Sequence, residues 1–131
     1  MAHAAIRRER RTTRRTLRAE LRRRSAATRL TASCRRRPRS LATVAIAAGV
    51  DRTTAAGCAN GLRTVAKRLG VTPAATARTR RTVAGGRAHR THGVSRYTLG
   101  QVRILIRAYR PRKPEYVAAV ARIATLAGGA R

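Results

Sequence analysis

A chain of 131 residues is about one domain long, and its 43% hydrophobic content includes no Phe or Trp and only three Tyr, so any core is small. Lys and Arg number 32 against four acids (Glu9, Glu20, Asp51 and Glu115), giving a formal charge of +28; such a chain repels itself unless a polyanion neutralises it, which points to nucleic acid. There is no apolar run of about 18 residues to span a membrane and no apolar segment behind the basic N-terminus to act as a secretory signal, and Cys34 and Cys58 lack a C-x-x-C partner. Reduced thiols, a cytoplasmic setting and no membrane partner are the expectation.

Residues 1–40 read as a basic arm with fifteen Arg. Arg7, Arg8, Arg10, Arg11, Arg14, Arg15, Arg18, Arg22, Arg23 and Arg24 are its candidate phosphate contacts. Ile6, Leu17 and Leu21, with Glu9 and Glu20, would support one helix, yet like charges at i and i+4 oppose it in isolation. The arm is therefore expected to be disordered, or helical on binding. Pro38 and Ser40 mark its end.

Residues 41–62 follow as a helical hairpin or a second helix-turn-helix-like unit. The pattern T-V-A-x-x-A-G-V-x-x-T-T over Thr43 to Thr54, followed by Asn60-Gly61, resembles the headpiece of the LacI family, with Thr53 and Thr54 on the would-be recognition helix. It also echoes the next block: Thr43-Val44-Ala45 against Thr64-Val65-Ala66, and Gly49-Val50 against Gly70-Val71. Both readings, tandem units or a hairpin packed on the following domain, stand at this point.

Residues 63–110 carry the strongest pattern. Val65, Ala66 and Leu69 share a helical face, and Gly70 sits where a helix needs a residue tolerant of positive φ to stop. Val71 plugs the turn. Thr72-Pro73 restarts the chain with a capping hydroxyl and a proline at the first helical position, which predicts a second helix from Pro73 to about Thr82. Small residues there permit close approach to a phosphate backbone, with Thr76, Arg78, Arg80 and Arg81 as groove contacts and Thr72 at its start. Gly85, Gly86 and Gly93 then predict a basic hairpin over residues 86–97 carrying Arg87, His89, Arg90 and Arg96, placed to cross phosphates or the minor groove. Tyr97 is expected to pack it onto the core and, as a further DNA contact, to reach a phosphate with its hydroxyl.

The ordered set Val65-Ala66, Leu69-Gly70-Val71, Thr72-Pro73, Arg78, Gly93, Arg96-Tyr97 and Val102 with Leu105 resembles the MerR superfamily in its minimal form, as in small actinobacterial regulators, phage excisionases and the winged domain of some phage small terminase subunits. The resemblance covers about residues 64–106. It implies a mainly α fold, a winged helix-turn-helix with a short β-hairpin wing and a basic N-terminal arm, in a bacterial nucleoid-associated or phage-encoded protein. It also implies that Arg78 lies mid-recognition-helix. The pattern's acidic residue before the third-helix valine is Gln101 here, which removes a common cap or ion pair.

Val102, Leu105, Ile106 and Tyr109 at i, i+3, i+4 and i+7 give the third helix a core face, ended by Pro111 and Pro114. Residues 111–131 form a C-terminal helix presenting Val117, Val120, Ala121 and Ala124, either as core or as the face of a homodimer. No catalytic constellation, Walker-type loop or paired metal-ligand motif is present, so no enzyme activity, cofactor or metal is expected. The expectation is a DNA-binding regulator or excisionase-like protein acting on double-stranded DNA. The alternatives are a sequence-indifferent nucleoid or DNA-packaging protein and an RNA- or ribosome-binding component.

Overall fold

The structure, a computed structural model, describes residues 2–82 and 89–128; of residues 79–82, 89 and 90 only the backbone is described. The elements run α1 (Ala2–Arg36), α2 (Leu41–Ala47), α3 (Arg52–Leu69), β1 (Ala75–Thr82), β2 (His89–Arg96), α4 (Leu99–Ala108) and α5 (Pro114–Gly128). The fold is mainly helical with one small antiparallel sheet. Two compact units divide it, Met1–Leu30 and Thr31–Arg131.

The first unit is helical throughout its described residues, where the sequence leads one to expect disorder or fraying in the absence of DNA. Arg, Ala, Leu and Glu are good helix formers. The hydroxyls of Thr12, Thr13, Thr16 and Thr28 each bond the carbonyl four residues back, and Arg24 pairs with Glu20 at 2.7 Å.

In the second unit α2 and α3 are joined by a tight turn whose chemistry is local. Ser40 caps α2 by accepting from Thr43 N, and Asp51 caps α3 by accepting from Thr54 N. Between them Gly49, at φ 94°, donates to Ile46 O while Val50 N reaches Ala45 O. That crossed pair of bonds ends α2 through a left-handed glycine. The same device ends α3: Gly70, at φ 69°, donates to Lys67 O and Val71 N to Ala66 O. The echo between residues 43–50 and 64–71 is therefore one helix terminus used twice.

Two expectations are overturned here. The chain does not restart as a helix at Pro73; Ala75–Thr82 is strand β1, paired antiparallel with β2 from Ala75↔Arg96 to Thr82↔His89. A helix over 73–82 would have no apolar i, i+3, i+4 face to bury, whereas Thr76, Thr79 and Thr82 are β-branched and suit a strand. Nor does a division fall at 62/63, because α3 runs unbroken from Arg52 to Leu69 and the segment from Thr64 is its last turns. The hairpin consequently starts at Ala75 rather than Gly86; β2 falls inside the expected 86–97 window, but its partner is β1.

The core gathers Leu41, Val44, Ala45, Val50, Ala55, Cys58, Ala59, Leu62, Val65 and Ala66 with Val102, Leu105, Ile123 and Leu126. Tyr97, 5% exposed, joins it beside Val102 and Leu105, as expected. The expected α4 face holds: Val102 and Leu105 are buried, with Ile106 and Tyr109 packed against the cluster. That of α5 is shifted. Ala119, Ile123, Leu126 and Ala127 are buried, with Tyr116 and Val120 alongside, because the stripe that carries Tyr116, Ile123 and Leu126 offers more apolar surface than the one through Val117, which is exposed with Ala121 and Ala124. Leu69 is likewise exposed, the apolar contact at that terminus passing to Val71.

Candidate nucleic-acid interface

The 18 residues of α3 sort into two faces. Ala55, Cys58, Ala59, Leu62, Val65 and Ala66 recur at helical spacing and are buried. The exposed face carries Arg52, Thr53, Ala56, Asn60, Arg63, Thr64 and Lys67. It extends ~22 Å along the axis at about 1.5 Å per residue. Arg63 Nη1 donates to Asn60 Oδ1 at 2.7 Å, which holds a guanidinium and an amide side by side, and Thr64 Oγ1 bonds Asn60 O at 3.1 Å. Guanidinium and amide are the side chains that read guanine and adenine edges in a major groove.

Close packing of α3 depends on Gly57 and Gly61. A Cβ at Gly57 would collide with the Tyr116 ring, and one at Gly61 would lie 2.6 Å from Tyr109 Cε2. Both tyrosines thus rest against helix backbone. Burial pushes the Tyr109 hydroxyl above the usual tyrosine range, with Cys58 and Tyr116 adding to the effect. Cys34 and Cys58 are free and buried; burial raises both thiols, opposed at Cys34 by Arg39.

Not every cation of this unit is available to a ligand. Arg68 Nη2 donates to Ala108 O at 3.2 Å, Arg103 Nε to Ala127 O at 2.8 Å, and Arg122 Nη1 to Gly49 O at 2.7 Å. Each satisfies a carbonyl left open at a helix end or turn. The unit's two carboxylates, Asp51 and Glu115, line one cleft together with Arg122, leaving the rest of α3 free of acids. Hydrogen bonds from Thr54 hold the Asp51 carboxyl below its ordinary range.

The residues singled out from sequence lie elsewhere. Thr72 caps no helix; its carbonyl accepts from Gln101 Nε2 at 2.7 Å. Gln101 also builds the cap whose loss its identity implied: Thr98 Oγ1 accepts from Gln101 N, and Gln101 Oε1 from Thr98 N. Thr76 and Arg78 stand exposed on β1, two residues apart on the same face, and Arg96 is half-buried opposite Ala75 on the other. Arg80 and Arg81 are on β1, and His89 and Arg90 on β2, by backbone alone; Arg87 lies outside the described residues. Tyr97 is a core residue, not a surface contact. Sequence reasoning missed Arg52, Asn60, Arg63, Thr64 and Lys67. The signal was the spacing of Ala55, Cys58, Ala59, Leu62, Val65 and Ala66, which runs unbroken across the boundary expected at 62/63.

In the first unit, helical spacing puts Arg7, Arg11, Arg15, Arg18, Arg22 and Arg29 on one stripe of α1 and Ile6, Glu9, Thr13, Leu17 and Glu20 on the other side. Arg10 and Arg23 flank the second set, Arg24 lies within it, and Arg8 and Arg14 flank the first; all are exposed. No family model, curated protein or solved structure matches the chain.

Proposed function

We propose that the chain binds duplex DNA, with α2, the Gly49 turn and α3 acting as a helix-turn-helix and the β1–β2 hairpin as its wing. The role that the MerR-like resemblance gave to residues 73–82 passes in this reading to α3, and Thr76, Arg78 and Arg96 become wing residues. The observation that carries it is the exposed face of α3: a row of Arg, Thr, Asn and Lys without a carboxylate, backed by a fully buried face. Such a helix fits a major groove about 12 Å wide. Asn60 and Arg63 are its central base readers, Thr53 and Thr64 its hydroxyl contacts, and Arg52 and Lys67 its phosphate anchors at either end.

Competition binding on genomic fragments, against duplex and single-stranded RNA, tests this. One enriched DNA motif is expected, and Arg63→Ala should cost about 1 to 3 kcal/mol on that motif and less on random DNA. A flat profile, with Arg63→Ala losing the same on every sequence, would leave the second reading, a sequence-indifferent packaging protein. The arginine stripe of α1 favours that one: from Arg7 to Arg29 it covers ~33 Å, and it bears guanidinium groups almost alone.

A further inference from the structure

Beside the wing lies a cleft of about 220 Å³ lined by Arg39, Ser40, Thr43, Val94 and Arg96. Arg39 and Tyr97 fix its geometry by exchanging two backbone bonds, Arg39 N to Tyr97 O at 3.0 Å and Tyr97 N to Arg39 O at 2.9 Å, which ties the residue before α2 to the residue after β2. Both arginines are half-buried. Among the described residues neither guanidinium has a hydrogen-bond acceptor or a carboxylate partner, and both of the unit's acids face a different cleft. Ser40 Oγ and Thr43 Oγ1 stand 2.7 Å apart in the same cleft. The cleft thus brings two arginines and two hydroxyls to one concave surface without a carboxylate among its lining residues, and an anion seated there would pair with both cations.

We propose that this cleft is a phosphate site in which Arg39 and Arg96 grip one tetrahedral oxyanion from both sides. Guanidinium forks match phosphate oxygens in pairs, and the Ser40–Thr43 hydroxyl pair, which spends one proton on its own bond, offers one further donor. The charge comes from the two side chains and not from α2, which is only 7 residues long. The source of the phosphate, a backbone phosphodiester flanking the groove entered by α3, rests on the duplex-binding reading above.

The shared phosphate makes a sharp prediction. Arg39→Gln and Arg96→Gln should each lower the slope of log K against log salt on duplex DNA by about 0.9, and the double variant by no more than either alone, since only one phosphate is released. Between 50 and 200 mM salt, each variant would thus lose about 3.5-fold less affinity than the native chain. Unchanged slopes, or single losses that add in the double variant, overturn the shared site. A second measurement uses the unmutated chain: dicarbonyl modification of arginines read by mass spectrometry, with inorganic phosphate or duplex DNA against chloride at equal ionic strength. Both should slow modification of Arg39 and Arg96, and only DNA should protect Arg63. Protection of Arg63 alone by DNA overturns the cleft and keeps the duplex reading. Protection of the cleft by phosphate with no effect of DNA anywhere keeps the anion site and overturns the duplex reading.

Discussion

Replacing Gly61 by Ala sets two effects of known size against each other. In a solvent-exposed helix interior the change should stabilise by about 1 kcal/mol, because glycine loses more backbone freedom on folding. At this position the new methyl would sit 2.6 Å from Tyr109 Cε2 and 2.7 Å from Cζ, where ordinary contacts begin near 3.4 Å. The ring must withdraw by ~0.8 Å, and overpacking of that kind costs about 1 to 3 kcal/mol. The clash wins: Gly61→Ala should be destabilising by about 1 kcal/mol net, lowering Tm by about 4 to 8 °C for a unit of this size. Gly100 supplies the contrast, since a Cβ there meets nothing nearer than Thr98 Oγ1 at 3.8 Å. Gly100→Ala should leave Tm unchanged or raise it. Thermal unfolding followed by helical circular dichroism reads both, and in a Tyr109→Ala background the Gly61 change should become stabilising. A rise in Tm for Gly61→Ala in the native background would refute the packing of Tyr109 on α3.

Gly70→Ala should cost about 1 to 2 kcal/mol in urea unfolding through left-handed strain alone, because nothing lies within 4 Å of the added methyl. Thr98→Ala removes half of a reciprocal cap and should cost about 1 kcal/mol by the same assay, with Thr98→Ser largely restoring it. The raised thiols of Cys34 and Cys58 contribute stability that is fully present below the ordinary thiol pKa and is lost as pH rises through their folded values. Tm should therefore fall above roughly pH 8.5, and fall less in a Cys34→Ala/Cys58→Ala variant. A peptide of residues 1–30 should gain helical dichroism on adding salt, since screening relieves the i, i+4 repulsions of Arg7, Arg11, Arg15 and Arg14, Arg18, Arg22.

Legibility in the sequence followed the locality of each interaction. The Gly70-Val71 terminus, the Val102–Leu105 face and the burial of Tyr97 rest on contacts within a few residues or on one amphipathic period, and the structure contains them. The β1 strand does not: its identity depends on a partner strand, eight residues long, that begins only at His89, while Thr72-Pro73 at its start imitates a helix cap. The unbroken run of α3 through Asn60-Gly61 was hidden for a similar reason. Gly61 is absent a side chain because Tyr109, 48 positions later (109 minus 61), needs the space, and nothing nearby in the chain announces that need. Reading Thr72-Pro73 as a helix start is what put the expected recognition helix on residues that form β1.

The three arginines that close carbonyl ends, Arg68, Arg103 and Arg122, do so without a carboxylate, and the ion pair among the described residues is Glu20–Arg24 in the other unit. Added salt weakens such charge–dipole contacts only modestly, whereas the mutual repulsion of a +28 chain is screened readily. On the proposed duplex-binding reading, ionic strength thus acts on folding and on complex formation with opposite sign: concentrated salt consolidates the protein while releasing it from DNA, so the free protein is at its most stable at high salt and meets its greatest internal repulsion on dilution.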